Sequence, residues 1–406
     1  MLISIIKCRY ALATASLIAA ALMAQPAAAQ SDAASSDTPR NSFGAVLGTD
    51  ISYDSNLFRQ PSSAQLTSDT ITVAYVGLRI DKQLSLQRFQ VDATETMRRY
   101  AQTSYLDFNS LDYRGAWLWQ AGSRISGTLS ADRKESLIPF EDILNPGSPT
   151  RNVSINENQV ANLDLWAFGD WHLLLGVNHA SQKSEQVIQI QPDFTAVGHE
   201  AGIKYAAPSG SSVSVIRRSV SGDYVNGDPV LGRGYQQDEN ELKVTWVASG
   251  KSTLNGRLTW LDRTQDDAAQ RNFSGLAGEF LYAWAPTGKL RMNFIANRDI
   301  VPFQDLSGSY IVTNTLSVAP TWTITAKTVA HLLAAHATSN FAGAASGPAV
   351  GPARKDTLKL IDIGVDWSPE QRLIFGFSLL HQVRDSSVST FEFKDTIARI
   401  TAAYRF

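Results

Sequence analysis

The sequence predicts an all-β chain: a transmembrane antiparallel β-barrel of the outer-membrane type, with about eighteen strands, short periplasmic turns and long extracellular loops. Three observations predict it. Apolar and polar residues alternate along many segments, the connections between segments alternate between short and long, and tryptophans gather beside the short ones. Alternation at period two is the signature of a strand with different surroundings on its two faces.

Residues 1–29 read as a signal peptide. Lys7 and Arg9 precede a largely apolar run from Ala11 to Met23, and Ala27, Ala28 and Ala29 offer a small-residue cleavage site before Gln30. An apolar core of about a dozen residues is too short to span a bilayer as a helix. Residues 30–42, mostly Ser, Asp and Ala, read as a disordered periplasmic lead-in, which leaves 43–406 for the barrel. Cys8 is the sole cysteine and is removed with the signal peptide, so a disulfide-stapled domain, thiolate chemistry and a lipid-bearing cysteine are all excluded. Without Lys7 and Arg9, the 36 basic residues fall to 34 against 38 acidic ones, a balance that argues against a nucleic-acid partner. No later stretch approaches the ~20 consecutive apolar residues of a membrane helix, so a place in a membrane has to be taken by strands.

Short connections are expected near 81–85, 121–123, 169–170, 208–211, 249–251, 286–288, 325–327 and 369–371. Most of them carry the Gly, Pro, Ser or Asp that tight turns need. Long ones are expected over 54–69, 99–107, 134–157, 183–193, 220–236, 263–271, 298–308, 340–354 and 385–389. Eight short and nine long connections make about eighteen strands, an even number with both termini on the short-turn side. The mature chain then supplies roughly twenty residues per strand and connection, against the ~9–11 that a tilted strand needs to cross.

The faces follow. Leu254, Gly256, Leu258 and Trp260 alternate with a mixed set, as do Leu373, Phe375, Phe377 and Leu379. In the last segment Phe406, Tyr404, Ala402, Ile400 and Ala398 alternate with Arg405, Ala403, Thr401 and Arg399. The same alternation through Phe89, Val91 and Ala93 puts Glu95 on the lipid side, which calls for a bulge or for a strand that leaves the bilayer early. Trp117, Trp119, Trp166, Trp171, Trp246, Trp284, Trp322 and Trp367 lie close to short turns, as an aromatic girdle level with Tyr205 and Phe406, whereas Trp260 points toward a long loop.

Candidate functional residues fall into two groups. On the lumen face the registers place Arg79, Arg114, Lys243, Arg257, Arg291, Arg399 and Arg405 with Asp81, Asp112, Glu241, Asp362 and Asp366. Opposed charges set the selectivity of a pore, or simply hydrate a polar wall. In the long loops Ile138-Pro139-Phe140-Glu141-Asp142 and Val301-Pro302-Phe303-Gln304-Asp305 repeat one phrase. Phe140, Asp142, Phe303 and Asp305 could stack on a sugar ring and bond its hydroxyls, or the Pro-Phe pairs could only anchor their loops. The loop over 134–157 could fold inward as a constriction or form an outer lid. His331 and His336, at an odd offset on one strand, fall on opposite faces, and the six histidines show no metal-ligand spacing. No serine sits in a nucleophile-elbow setting, so neither an enzyme nor a bound cofactor is expected.

Two resemblances add to this. The last segment resembles the closing strand of bacterial outer-membrane barrels, which implies that Tyr404 and Phe406 form an assembly signal read by the barrel-assembly machinery. Tyr53-Asp54-Ser55-Asn56-Leu57-Phe58-Arg59 after a first strand resembles the EpsL-type outer-membrane proteins of exopolysaccharide operons, often found with exosortase systems, among the β-barrel porin families. The aromatic segment from Tyr113 to Trp119, then Gly127-Thr128-Leu129 and Phe140-Glu141-Asp142, is similar to them as well. That resemblance implies a conduit or accessory in exopolysaccharide export, with outer-membrane lipid, a periplasmic export protein and the polysaccharide as partners, and it implies no catalytic residue. The alternatives are a general or solute-selective porin for small hydrophilic molecules, and a surface adhesin with a closed lumen.

Overall fold

The computed structural model describes residues 42–140, 149–186, 193–225, 232–305, 308–343 and 353–406. Residues 1–41, over which a signal peptide and most of a lead-in are expected, lie outside the described residues, and the first strand starts at Ser42. The strands are β1 (Ser42–Asp54), β2 (Asp69–Leu84), β3 (Gln87–Tyr100), β4 (Phe108–Ala121), β5 (Ile125–Leu137) and β6 (Val153–Phe168). Next come β7 (Trp171–Ser184), β8 (Phe194–Ala206), β9 (Ser212–Tyr224), β10 (Gly234–Ser249), β11 (Ser252–Gln265) and β12 (Phe273–Trp284). The last six are β13 (Leu290–Asp305), β14 (Gly308–Thr325), β15 (Thr328–Ala342), β16 (Lys355–Glu370), β17 (Leu373–Ser386) and β18 (Phe393–Arg405). Single 3₁₀ turns lie at Ser104–Leu106, Ala269–Arg271 and Ser389–Phe391, each in a long connection.

Every strand pairs antiparallel with its sequence neighbours, and β1 pairs with both β2 and β18, so the sheet closes into an eighteen-stranded barrel as the sequence predicts. The seam runs from Val46 opposite Arg405 to Asp54 opposite Ile397. The Phe406 N–H extends it, donating to the Ala45 carbonyl at 2.9 Å. At the seam's extracellular end the first long loop is clamped to β18. The Ser55 N–H donates to the Thr396 carbonyl, and the Asn56 side chain donates to the carbonyls of Gln60 and Lys394. Arg59, held at φ 55°, bridges Asp54 at 3.0 Å and Asp395 at 3.2 Å. The Tyr-Asp-Ser-Asn-Leu-Phe-Arg motif is thus a lock on the seam.

One face of each strand carries exposed apolar residues, such as Leu47, Val76, Leu175, Phe377 and Ile400. Together they form the outer belt. Its periplasmic edge is aromatic: Phe89 stacks on Trp117, Trp171 meets Tyr205 edge to face, and Trp367 stacks on Phe375. Trp166 departs from the expected girdle. It pairs with His172 on the inner face, just before a register shift that turns Phe168 outward instead. Its indole N–H is used to cap the turn, donating to the Gly169 carbonyl.

Glu95 does face outward, between Val76 and Leu111, and the register around it is unbroken, so no bulge relieves it. Height does. It lies about ten residues beyond the turn at Ser85, roughly 25 Å at ~3.3 Å per residue and ~40° of tilt, which is the upper edge of the apolar band. His336 and His381 face out at the same distance above their own turns.

Several strands run further beyond this edge than the sequence pattern suggests. The expected long loop over 298–308 is mostly strand, because β13 continues through Val301-Pro302-Phe303 to Asp305 and β14 resumes at Gly308. Two inner-face tyrosines lie flat over glycines of the neighbouring strand. A Cβ on Gly48 or Gly222 would stand 2.3 Å from the ring of Tyr75 or Tyr235, so only glycine fits beneath them. Phe406→Ala is expected to weaken the seam, lowering the folded, heat-modifiable fraction on gels; an unchanged fraction, also with Tyr404→Ala, would show that the aromatic pair is dispensable.

Candidate functional site: the barrel interior

Eighteen strands ~4.8 Å apart and tilted by roughly 40° close at a backbone diameter of about 35 Å, wide enough for an aqueous lumen. The inner wall divides into two levels. In the periplasmic half the side chains are open to the lumen and charged. Arg79 and Asp92 pair at 3.5 Å with 40% and 51% of their side chains exposed. Arg114 stands between Asp92 and Asp132 on the neighbouring strands. Further round, Asp164 receives Lys204 and the His172 ring, Arg257 faces Glu279 at 3.8 Å, His331 faces Asp366 at 3.6 Å, and Arg399 meets Asp50 at 3.0 Å. Arg291 is exposed opposite Thr321.

The registers place all the charged lumen candidates, Arg79, Arg114, Lys243, Arg257, Arg291, Arg399, Arg405, Asp81, Asp112, Glu241, Asp362 and Asp366, on the inner face. They are not equally available. Asp81 is 1% exposed, held by the Arg88 guanidinium and the Gln90 amide, so it is a wall strut rather than a lumen charge. Glu241 is also buried and accepts from the Thr259 hydroxyl, while Asp112 accepts the Glu135 backbone N–H.

The extracellular half is different: its inner-face residues are packed into a collar. Tyr235, Glu239 and Thr259 are at most 2% exposed, and Leu360, Leu380 and Ile397 form a continuous apolar patch. Connections fold over the collar where they are described, with Leu57, Leu106 and Ala268 buried. Arginines hold it together by lying on aromatic rings while their N–H groups are satisfied. Arg263 sits 3.8 Å from the Tyr235 ring centre and donates to Gln237. Arg354 lies between Phe391 at 3.5 Å and Phe341 at 4.2 Å, paired with Asp356. Arg384 lies over Phe393 and donates to the Phe391 carbonyl. Arg218, directly opposite both across its two ladders, bridges Glu200 at 2.6 Å and Glu239 at 2.7 Å. Such stacks are stronger when desolvated, on the order of 2 kcal/mol each.

The loop phrases belong to this collar. Phe303 is buried against Ile311 and Phe341, on a strand, and so is not a free sugar-stacking ring. Phe140 meets Phe58 edge to face at 5.0 Å beside Leu57, Tyr100 and Leu106, so the described start of its loop is anchored inward. Asp142 lies outside the described residues, as does the side chain of Asp305. The collar arginines were not among the sequence candidates, although Arg218, Arg263 and Arg384 occupy inner-face positions once each strand's alternation is carried on past the belt, while Arg271 and Arg354 lie in connections. Arg271 is the most enclosed, 1% exposed and donating to the carbonyls of Phe303 and Gly308, both at 2.8 Å. Arg271→Met is expected to strand both carbonyls and cost about 2–4 kcal/mol, read as a lower Tm of the detergent-solubilised barrel.

Comparison with known proteins agrees with this architecture. A family model described as Putative beta-barrel porin 2 matches residues 251–406. No curated protein matches the chain. Among solved structures, a BenF-like porin from Pseudomonas fluorescens is similar with a TM-score of 0.51 and 10% identity, over 90% of this chain and 98% of that one. OpdK from Pseudomonas aeruginosa gives 0.48 at 12% identity, covering 90% and 99%, and OccK9 (OpdG) from the same species gives 0.48 at 14%, covering 90% and 98%. At 10% identity the likeness to the BenF-like porin is one of fold. With its closed sheet and apolar belt, the chain is a porin-like β-barrel of the outer membrane.

Proposed function

We propose that the protein is a porin for small hydrophilic solutes, selective rather than general. The observation that carries this reading is the two-level interior, an open wall of interleaved cations and anions beneath a packed collar. Interleaved charges offer successive weak contacts to a polar solute and hold a transverse field across the lumen, while a collar limits what size can pass. The match of residues 251–406 to a porin family supports the same class. The polymer-export reading gains no support from the interior, because Phe140 and Phe303, the rings proposed to stack on sugar, are engaged in packing.

The direct test is single-channel recording of the purified barrel in planar bilayers. Discrete conductance steps are expected, with small solutes but not long dextrans passing in liposome swelling. Arg257→Gln removes a lumen cation and is expected to shift the reversal potential toward cation selectivity. Absence of any conductance step over a wide voltage range would overturn the proposal. So would loss of secreted polysaccharide in a deletion strain, restored by the full-length gene, if it came with a non-conducting barrel.

A further inference from the structure

The outer wall carries a groove that the belt's function does not require. It has a volume of about 550 Å³ and lies across β12 to β15, where Ala296 and Ala334 form a low floor between Phe280, Tyr282, Phe294 and Leu316. His336 closes its upper end. Large apolar side chains surround two alanines here, which leaves a recess among them. The groove climbs the wall from Tyr282 and Phe294, four to six residues above the short turn between β12 and β13, to His336, ten above its own, so its upper end lies in the outer leaflet.

Directly above it the wall is cationic. His336 faces Lys359 across the β15–β16 ladder, Lys359 stands beside Val383, and Lys394 lies on the far side of Val383. On the other side Arg298, one outward position above Ala296, is exposed and held upright by the Leu276 carbonyl and the Asn314 side chain. The acid at this level is Asp385, which pairs with Lys359 at 3.4 Å while both side chains remain about 60% exposed. An apolar slot capped by cations at the membrane surface matches a molecule with a hydrocarbon chain and an anionic head.

We propose that this groove is a specific site for a phosphorylated glycolipid of the outer leaflet, one acyl chain lying over Ala296 and Ala334 and a head-group phosphate held by Arg298, His336 and Lys359. An unspecialised belt would take up any lipid equally, whereas this site distinguishes lipids by phosphate and can be blocked by filling its floor.

The test uses the full-length barrel, delipidated in detergent, with bisphosphorylated lipid A as probe and native mass spectrometry as readout. Wild type is expected to retain the probe at least tenfold better than Ala334→Leu, which fills the groove on the lipid face without touching the lumen. Ala296→Leu provides the same block if the first variant folds poorly. The Arg298→Gln/Lys359→Gln variant is expected to lose its preference for the bisphosphorylated probe over the dephosphorylated one. Equal retention by wild type and both groove-filled variants would overturn the proposal. Equal retention of dephosphorylated lipid A by wild type would also do so, by showing ordinary belt lipid. The readout is independent of conduction, so a silent channel would leave it standing.

Discussion

Hydrocarbon offers no partner to a backbone N–H or carbonyl, and each one left unpaired there costs several kcal/mol. That constraint makes the β1–β18 seam the interaction on which the rest depends. An open sheet of this length would expose two edges to lipid, whereas closure removes both. Closure also fixes the inside and outside of every strand at once, since a slip of one residue would exchange the faces. The apolar belt, the charged wall and the collar all presuppose that pairing.

Much of this was legible in the sequence because lipid and water impose opposite demands at period two. The strand count, the turn alternation and the lumen parity of residues such as Arg257 and Arg399 follow from that demand alone. Trp166 was misplaced because a register shift at a turn reverses parity without leaving a trace in composition. Phe303 was misplaced for another reason. Above the bilayer both faces of a strand meet water or protein, so the alternation fades and a strand reads like a loop. The collar lies in that region, and its arginines resembled ordinary loop charges until the aromatic rings beneath them were located.

The two levels of the interior use charge in different ways. On the lumen wall most cations have an anion within reach on an adjacent strand, as Arg79 has Asp92 and Arg257 has Glu279. The wall is therefore polar with little net sign, consistent with the near balance of basic and acidic residues in the whole chain. In the collar the cation's partner is usually a ring or a carbonyl. Such contacts make rigidity from surface that would otherwise be costly to bury, and they let one short stretch of wall be dense while the stretch below stays wet.

The lock between the first loop and the last strand also has a temporal meaning. Asn56 and Arg59 satisfy themselves on the Lys394 carbonyl and on Asp395, groups that come beside the first loop only when β18 pairs with β1. Until then the first loop has half of its anchors missing. Its ordering is therefore a built-in marker of completed assembly: a barrel stalled before closure would present this segment to proteases, and a finished one would withdraw it.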